Sequence, residues 1–381
     1  MRSDFAARVP TLWHGRGIAR QTIARLAADR EPLVIADSSL AASMLAGRSA
    51  RTIEVDARSV DVAALVGIAE EIARRPPSVI VAVGGGTVLD ATKIASLALA
   101  PGRLFDFAIE RASKSALTFL PDAPPPVEIV AVPTTLGTSS ETNSVGILKN
   151  ETGYRLIVGR ALRPRHAIID PGNLVTLTPA SVREGALEAF LRLAGAATSP
   201  RRSSRGRRDA VALGGALLET ASGDAAAAAV RLRLARLSAA TQRSAALRGQ
   251  DPYSARHWYV ANEVAFALDV RKMVATVAVI AAVWRRVCSG DQRWGDRESL
   301  EEFWMSVAGG VALPLDPPTG IAALIERWGI PRPSRPTAQN LRRIAGATET
   351  AWGNRYPMLA GLFAEDFCDV LRDSYWNEGG E

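Results

Sequence analysis

Gly84-Gly85-Gly86 stands between the apolar run Val79-Ile80-Val81-Ala82-Val83 and the helical pattern Thr87-Val88-Leu89-Asp90-Ala91-Thr92-Lys93. Strand, glycine turn and helix in that order can cradle a phosphate. Glycines let the backbone approach a ligand with no Cβ in the way, and they tolerate positive φ. The helix that follows points its unpaired N–H groups and positive dipole end at the turn. A pyrophosphate suits that geometry. A bare glycine triplet is equally explained by a tight turn that needs small residues, and the GxGxxG fingerprint is absent. Other reactive groups are few: three histidines (His14, His166, His257) and two cysteines (Cys288, Cys368). Two cysteines give no disulfide framework, and a reducing cytoplasm is the simplest home.

The elements that must position these groups follow a pattern. Pro32–Asp37, Thr52–Val55, Ser78–Val83 and Val127–Val132 read as strands, the last ending at Pro133, which cannot donate to a ladder. Val60–Arg75 has helical spacing and ends before Pro76-Pro77. Alternating strand and helix patterns predict a parallel α/β sheet over the first ~170 residues. After Asp170-Pro171, Ala, Leu and Arg dominate at helical spacing. Helices are predicted over Ala186–Ala196, Asp209–Thr220, Ala225–Arg248, Arg256–Leu268, Val274–Arg286, Thr319–Trp328, Ala338–Ala345 and Tyr356–Ser374. Pro121–Pro126 and Pro314–Pro318 read as rigid loops. The chain of 381 residues thus divides near residue 172, into an α/β domain over 1–172 and an all-helical domain over 173–381.

With 48% hydrophobic and 22% charged residues, the composition is that of a soluble globular protein. No apolar run reaches the ~18 residues that span a bilayer, and the opening MRSDFAARVP lacks the apolar core of a signal peptide. Net charge is +7, almost all of the excess being arginine, with four lysines in total. That bias reflects base composition of the genome better than nucleic-acid binding. The cluster Pro200-Arg201-Arg202-Ser203-Ser204-Arg205-Gly206-Arg207-Arg208 reads as a solvated, mobile loop. The alternative is a docking patch for an acidic peptide or partner protein.

The wider motif around the glycines is more specific. Gly84-Gly85-Gly86-Thr-Val-Leu-Asp90-Ala-Thr-Lys93 resembles the GGGSxxDxAK signature of the iron-containing alcohol dehydrogenase and dehydroquinate synthase superfamily. Pro133-Thr134-Thr135-Leu136-Gly137-Thr138-Ser139-Ser140-Glu141 resembles its PTTxGTGSE, Ala167–Pro171 its AxxDP, and Asn354-Arg355-Tyr356-Pro357 faintly its C-terminal NPR. The resemblance implies a dinucleotide-binding α/β domain, an all-helical domain, and a site in the cleft between them. It implies that Gly84, Gly85 and Gly86 contact the pyrophosphate and that Asp90 anchors their loop. Thr134, Thr135 and Thr138 would approach the phosphates, ribose or nicotinamide. Asp37 would lie near the adenosine, where an acidic group suits ribose hydroxyls and repels a 2′-phosphate, favouring NAD over NADP; a turn cap is its other reading. Members of the superfamily are often dimers or larger.

Metal-dependent members resemble one another in an Asp and a His four apart on one helix, with two later histidines. Positions i and i+4 share a helix face, and imidazoles with a carboxylate suit a divalent cation. Laid on this chain, that spacing falls on Glu188, Arg192, His257 and Arg271, with Lys272 following. Two imidazoles have become guanidiniums, which repel cations, so no catalytic metal is expected. Fixed positive charge would stabilise the developing alkoxide in its place, and arginine binds carboxylates bidentately. Glu188 would orient one arginine. His257, with an ordinary pKa near neutrality, would be the general base, its other reading being a packed core histidine; Lys272 is the second candidate base.

Three functions compete. The first is a metal-independent NAD(P)-dependent dehydrogenase oxidising a hydroxyl near a carboxylate. One branch of the superfamily that this suggests carries out oxidative decarboxylation of a C-terminal threonine in daptide-type ribosomal peptide biosynthesis. The second is a cyclase or lyase of the dehydroquinate synthase type acting on a phosphorylated sugar. The third is a non-catalytic NAD-binding subunit, with both arginines reduced to salt-bridge partners of Glu188. No nucleic-acid or membrane partner is expected.

Overall fold

The structure, a computed structural model, describes residues 10–40, 50–200, 203–248 and 251–377. Residues 1–9, which the signal-peptide expectation concerns, and Arg201 and Arg202 of the basic cluster lie outside them. The chain forms two units: residues to Thr178 with Ala226–Ala239, and Pro179–Ala225 with Ala240 onward. The division is therefore not a single boundary near residue 172. The chain leaves the first unit at Thr178 and re-enters it for fourteen residues, Ala226–Ala239.

In the first unit six parallel strands form one sheet: β1 (Thr11–His14), β2 (Pro32–Asp37), β3 (Arg51–Val55), β4 (Val79–Gly84), β6 (Ile129–Pro133) and β9 (His166–Ile169), in the order β1-β9-β6-β4-β2-β3. Its four inner strands, β2, β4, β6 and β9, are runs apolar on both faces, as helices on either side of a parallel sheet require. Leu33, Ile35, Ile80, Ala82, Ile129 and Ala131 pack on one face. Val34, Ala36, Val81, Val83, Val130 and Val132 pack on the other. Helices α1 (Ala19–Leu26), α2 (Val62–Arg74), α3 (Gly86–Ser96) and α4 (Leu104–Lys114) belong to this unit. Strand β5 (Leu117–Phe119) joins the β7–β8 hairpin (Val145–Asn150, Gly153–Val158) in a second, three-stranded sheet. The short edge strand β1 and the hairpin carry too few consecutive apolar residues to stand out in the sequence. From β2 the chain runs outward to β3, then returns to place β4 on the other side of β2. Ligands of open α/β sheets bind beyond the carboxyl ends of strands at such a reversal.

The second unit is helical, opening with α5 (Pro179–Ala197) and α6 (Ser204–Ala221). Helix α7 (Ala228–Arg243) carries the returning segment, and α8 (His257–Leu268), α9 (Lys272–Cys288), α10 (Arg297–Ala308), α11 (Pro317–Arg327), α12 (Ala338–Trp352) and α13 (Ala364–Arg372) follow. Three sequence expectations are corrected. Ser204–Arg208 are helix, not loop, because Ser203 caps α6 by accepting the Gly206 N–H at 2.9 Å. Pro317 and Pro318 open α11 behind the Asp316 cap, since proline is tolerated in a first turn. The stretch from Tyr356 is no continuous helix: Asn354 (φ 52) and Gly361 (φ 71) turn the chain, and two short paired strands, β10 (Gly353–Asn354) and β11 (Leu359–Ala360), precede α13. Among the described residues, no helix is long and apolar enough to cross a membrane.

Candidate active site

The residues expected to hold a dinucleotide gather at the carboxyl edge of the six-stranded sheet. Gly84 pairs in register with Pro133, and the Thr134 N–H donates to the Gly84 carbonyl at 3.0 Å. Asp37 ends β2, one residue beyond the Ala36–Val83 register pair. The glycines are needed for space rather than for unusual backbone: none of the three has a positive φ. A Cβ on Gly84 would stand 2.6 Å from the Val88 Cβ. On Gly85 it would stand 3.2 Å from the Thr135 Cγ2, and on Gly86 2.9 Å from the Thr138 Cγ2. The two loops thus interlock, glycine against threonine. Gly85 caps α3 with no side chain over the helix end, so the first N–H groups of α3 face the turn, and an anion there meets both free donors and the dipole. These features fit a pyrophosphate.

Behind the loops lies a charged knot in the core. Lys93 is 1% exposed and Asp90 6%. The Lys93 ammonium sits 2.8 Å from the Asp90 carboxylate and donates to the Ser140 hydroxyl at 2.7 Å, the Ser140 carbonyl at 3.1 Å, Asn143 Oδ1 at 3.0 Å and the Val145 carbonyl. Asp90 accepts from the Ser140 hydroxyl and, at 3.1 Å, from the Ile147 N–H. Asp90 therefore anchors the threonine loop and the start of β7, rather than the glycine turn alone. Ser139, where PTTxGTGSE has its second glycine, adopts φ 53, a conformation that costs a non-glycine residue roughly 1–2 kcal/mol. Its hydroxyl bonds Ser238 of α7 at 2.9–3.0 Å, and Ser238 reaches the Gly137 carbonyl at 3.3 Å. This clasp, with Arg231 donating to the Leu174 and Leu177 carbonyls, is why Ala226–Ala239 belongs to the first unit.

Asp37 accepts the Ser39 N–H at 3.0 Å and the Ser39 hydroxyl at 2.6 Å. The turn-cap reading describes what the side chain does here. Asp170 of the AxxDP motif is buried and accepts the N–H groups of Gly17, Ala19 and Gly172 at 2.9–3.0 Å. It fastens the β1–α1 turn to the end of β9.

In the helical unit, Glu184, Glu188 and Arg192 recur every fourth residue on α5 and so share a face. Arg271 precedes α9 and binds Glu184 bidentately, at 2.5 and 2.9 Å. Arg271 is thus held by Glu184, one turn before Glu188. Sequence reasoning passed over it, although its i−4 spacing from Glu188 is a visible signal. Arg192 donates to the Thr241 hydroxyl at 2.8 Å. Lys272 places its ammonium 3.8 Å from the centre of the Trp258 ring, a cation–π contact.

His257 does not meet the expectation of a general base. It is 2% exposed at the start of α8, and its Nε2 is buried without a hydrogen-bond partner. Burial, with the Lys272 charge adding to it, lowers its pKa from 6.5 to about 3. A base must titrate near the working pH to be useful, so His257 is a neutral core residue. A pH dependence of stability follows. Above pH 6.5 neither folded nor unfolded His257 is protonated, and its contribution is flat. Between about 6.5 and 3 only the unfolded ring takes up a proton. Stability should therefore fall with falling pH by up to about 1.4 kcal/mol per unit from this residue. Urea midpoints across that range should decline less steeply in His257→Gln; coincident slopes would show that the ring titrates normally in the fold.

The four positions onto which the metal-dependent members' spacing falls do not reproduce those members' Asp-and-three-His donor set. Two of the four mapped positions are guanidiniums, one of them engaged by Glu184. Among the described residues no group of three or more His, Cys, Asp or Glu could hold a metal ion.

Residues 10–171 match the family model of iron-containing alcohol dehydrogenases. A phosphonoacetaldehyde reductase from Streptomyces viridochromogenes is 35% identical over 188 residues, 48% of this chain and 47% of that protein. The mitochondrial hydroxyacid-oxoacid transhydrogenase of Caenorhabditis briggsae is 39% identical over 110 residues, 27% of this chain and 22% of that one. The chain thus spans less than half the length of the curated relatives it matches. The NADH-dependent butanol dehydrogenase A of Thermotoga maritima superposes with a TM-score of 0.78 at 16% identity, covering 95% of this chain and 96% of that one. The fold is that of this butanol dehydrogenase, and of an iron containing alcohol dehydrogenase from Thermococcus thioreducens, which superposes with a TM-score of 0.75 at 17% identity, covering 96% of this chain and 98% of that one. The curated relatives it matches are oxidoreductases, a reductase and a transhydrogenase.

Proposed function

We propose that this protein is an NAD-dependent oxidoreductase that works without a catalytic metal, on a hydroxyl or carbonyl beside an anionic group. The observation that carries the reading is the substitution of arginine at two of the four metal-ligand positions, with Arg271 held in plane by the buried Glu184. Gly84, Gly85, Gly86, Thr134, Thr135 and Thr138 hold the dinucleotide, and Asp37 favours NAD over NADP. When bound, the nicotinamide supplies a hydride donor or acceptor. Arg192 and Arg271 bind and orient the substrate's anionic group, since a guanidinium matches a carboxylate bidentately. Lys272, half-buried beside Arg271, moves the hydroxyl proton, the role that buried His257 cannot fill. The relatives' names support this: a phosphonoacetaldehyde and a hydroxyacid each carry an anionic group near the reacting carbon.

A finer reading follows from position. If the hydroxyl is β to a carboxylate, its oxidation gives a β-keto acid, which loses CO2 readily. A C-terminal threonine has that arrangement, so oxidative decarboxylation of a ribosomal peptide is the specific reaction we put forward. An acidic stretch of the peptide would meet the exposed Arg205, Arg207 and Arg208 on the first turn of α6. We assign the enzyme to the cytoplasm as a homodimer. The test is metal analysis of the purified protein with turnover in excess chelator. Undiminished NADH production with substoichiometric metal is expected. Stoichiometric zinc or iron, lost together with activity, would overturn the proposal. A cyclase would return its NAD unchanged and produce no net NADH.

A further inference from the structure

One buried side chain of the threonine loop carries backbone strain. Ser139 is 1% exposed and holds φ 53, a left-handed conformation that glycine adopts freely and serine does not. Such residues persist where their surroundings over-determine them, and they collect at ligand clamps. The surroundings here are supplied by α7. The Ser139 hydroxyl donates to the Ser238 carbonyl at 3.0 Å and lies 2.9 Å from the Ser238 hydroxyl, which reaches the Gly137 carbonyl at 3.3 Å. Ser238 is equally buried and shares a helix face with buried Leu234 and Ala235. Two turns earlier, about 10 Å along the helix, Arg231 donates to the Leu174 and Leu177 carbonyls. This stretch of α7 is thus fastened at both ends, which makes Ser238 a fixed point.

Thr138 is the residue that this fixed point brackets. From Ile129 to Thr142 every residue is buried except Thr135 and Thr138. These are the two threonines that stand against the glycine turn, Thr135 at Gly85 and Thr138 at Gly86. They are therefore the side chains of the loop that a ligand on the turn can meet. Gly137 and Ser139, on either side of Thr138, both bond Ser238. The Thr138 Oγ1 accepts the Ser140 N–H at 3.3 Å, and its carbonyl accepts from Asn143 Nδ2 at 3.4 Å. Lys93 grips the loop from Ser140 onward, and α7 grips the corner before it.

We infer that Ser238 of the returning segment is a positioning residue for the dinucleotide site, acting through Ser139 to hold Thr138 against Gly86. The inference rests on the reading that the glycine and threonine loops hold NAD. Ser238 acts without touching the cofactor. It orders the corner beforehand, and a loop already in its bound conformation binds more tightly than one that must be ordered on binding.

The test is calorimetric NAD titration of the full chain, at a temperature where every variant is folded, with thermal midpoints recorded alongside. The variants are Ser139→Ala, Ser139→Gly, Ser238→Ala, the double variant Ser139→Gly with Ser238→Ala, and Gly86→Ala. Alanine removes the hydroxyl and keeps a Cβ at φ 53, whereas glycine removes the hydroxyl and the strain together. Ser139→Ala should weaken NAD binding about tenfold, and Ser139→Gly and Ser238→Ala about threefold each, a neutral hydrogen bond being worth a factor of that order. Ser238→Ala should weaken binding less on top of Ser139→Gly than it does alone. If Ser139→Ala does not fold, the glycine and Ser238 variants still read the effect. A clasp that serves stability only would lower the midpoints and leave the affinity of the folded protein unchanged. That outcome overturns the inference, as does an equal effect of Ser238→Ala with and without Ser139→Gly. Gly86→Ala puts a Cβ 2.9 Å from the Thr138 Cγ2 and should weaken NAD more than any serine variant. Wild type that binds no NAD, or Gly86→Ala that binds it normally, would sink the cofactor reading and this inference with it. Dependence on Gly86 with unaltered affinity in the serine variants would sink this inference alone.

Discussion

Lys93→Met should lower the stability of the first unit by about 3–5 kcal/mol, the range for breaking a buried ion pair by removing one partner. The ammonium is 1% exposed and meets Asp90, both oxygens of Ser140, Asn143 and Val145. Methionine fills most of the space but leaves an uncompensated carboxylate on Asp90 and several acceptors without a donor. Asp90→Asn should cost less, because the amide keeps a polar group beside Ser140 and Ile147. Both variants loosen the threonine loop, so NAD affinity should fall with stability even though neither side chain is expected to touch the cofactor. Chemical denaturation and NAD titration of the two variants measure this. A loss under about 1 kcal/mol for Lys93→Met would mean that the pair is as weak as an exposed one, and the knot would not be what fixes the loop.

Arg271→Ala should reduce kcat/KM by about 10²–10³-fold, the magnitude found when one preorganised donor is removed from a site that stabilises developing negative charge. NAD affinity should stay unchanged, because the glycine and threonine loops belong to the other unit. Arg271→Lys should recover little, since an ammonium cannot reproduce the paired contacts with the two Glu184 oxygens. Glu184→Gln separates position from charge. It weakens the clamp while leaving the guanidinium, so it should raise KM for the substrate more than it lowers kcat. Steady-state kinetics of the three variants, with NAD binding measured directly, decide the matter. An Arg271→Ala enzyme with wild-type kcat/KM would remove the basis for the proposed function.

Several features were legible without coordinates because they are written locally. Runs such as Leu33–Ala36 and Val79–Val83 are continuous and β-branched, which only a strand buried on both faces explains. The glycine triplet, with PTTxGTSSE forty-odd residues later, carried the fold through a resemblance that the structure then bore out over nearly the whole chain.

What the tertiary structure decided is which partners those residues have. Glu184 rather than Glu188 grips Arg271, because the orientation of α5 against the α8–α9 turn selects between two acids one turn apart on the same face. His257 is buried and neutral rather than a base: its surroundings, not its residue type, set its pKa. Ser203 and Asp316 convert two presumed loops into helix starts through side-chain caps that composition cannot weigh. The returning segment Ala226–Ala239 joins the first unit through Ser238 and Arg231, contacts made across separations of 99 and 57 residues respectively. Periodicity and motif are properties of neighbours along the chain, so the inner strands and the strand–glycine turn–helix were legible from the sequence alone. Burial, charge pairing and the choice among equivalent partners are properties of neighbours in space, and those settled what each site residue can do.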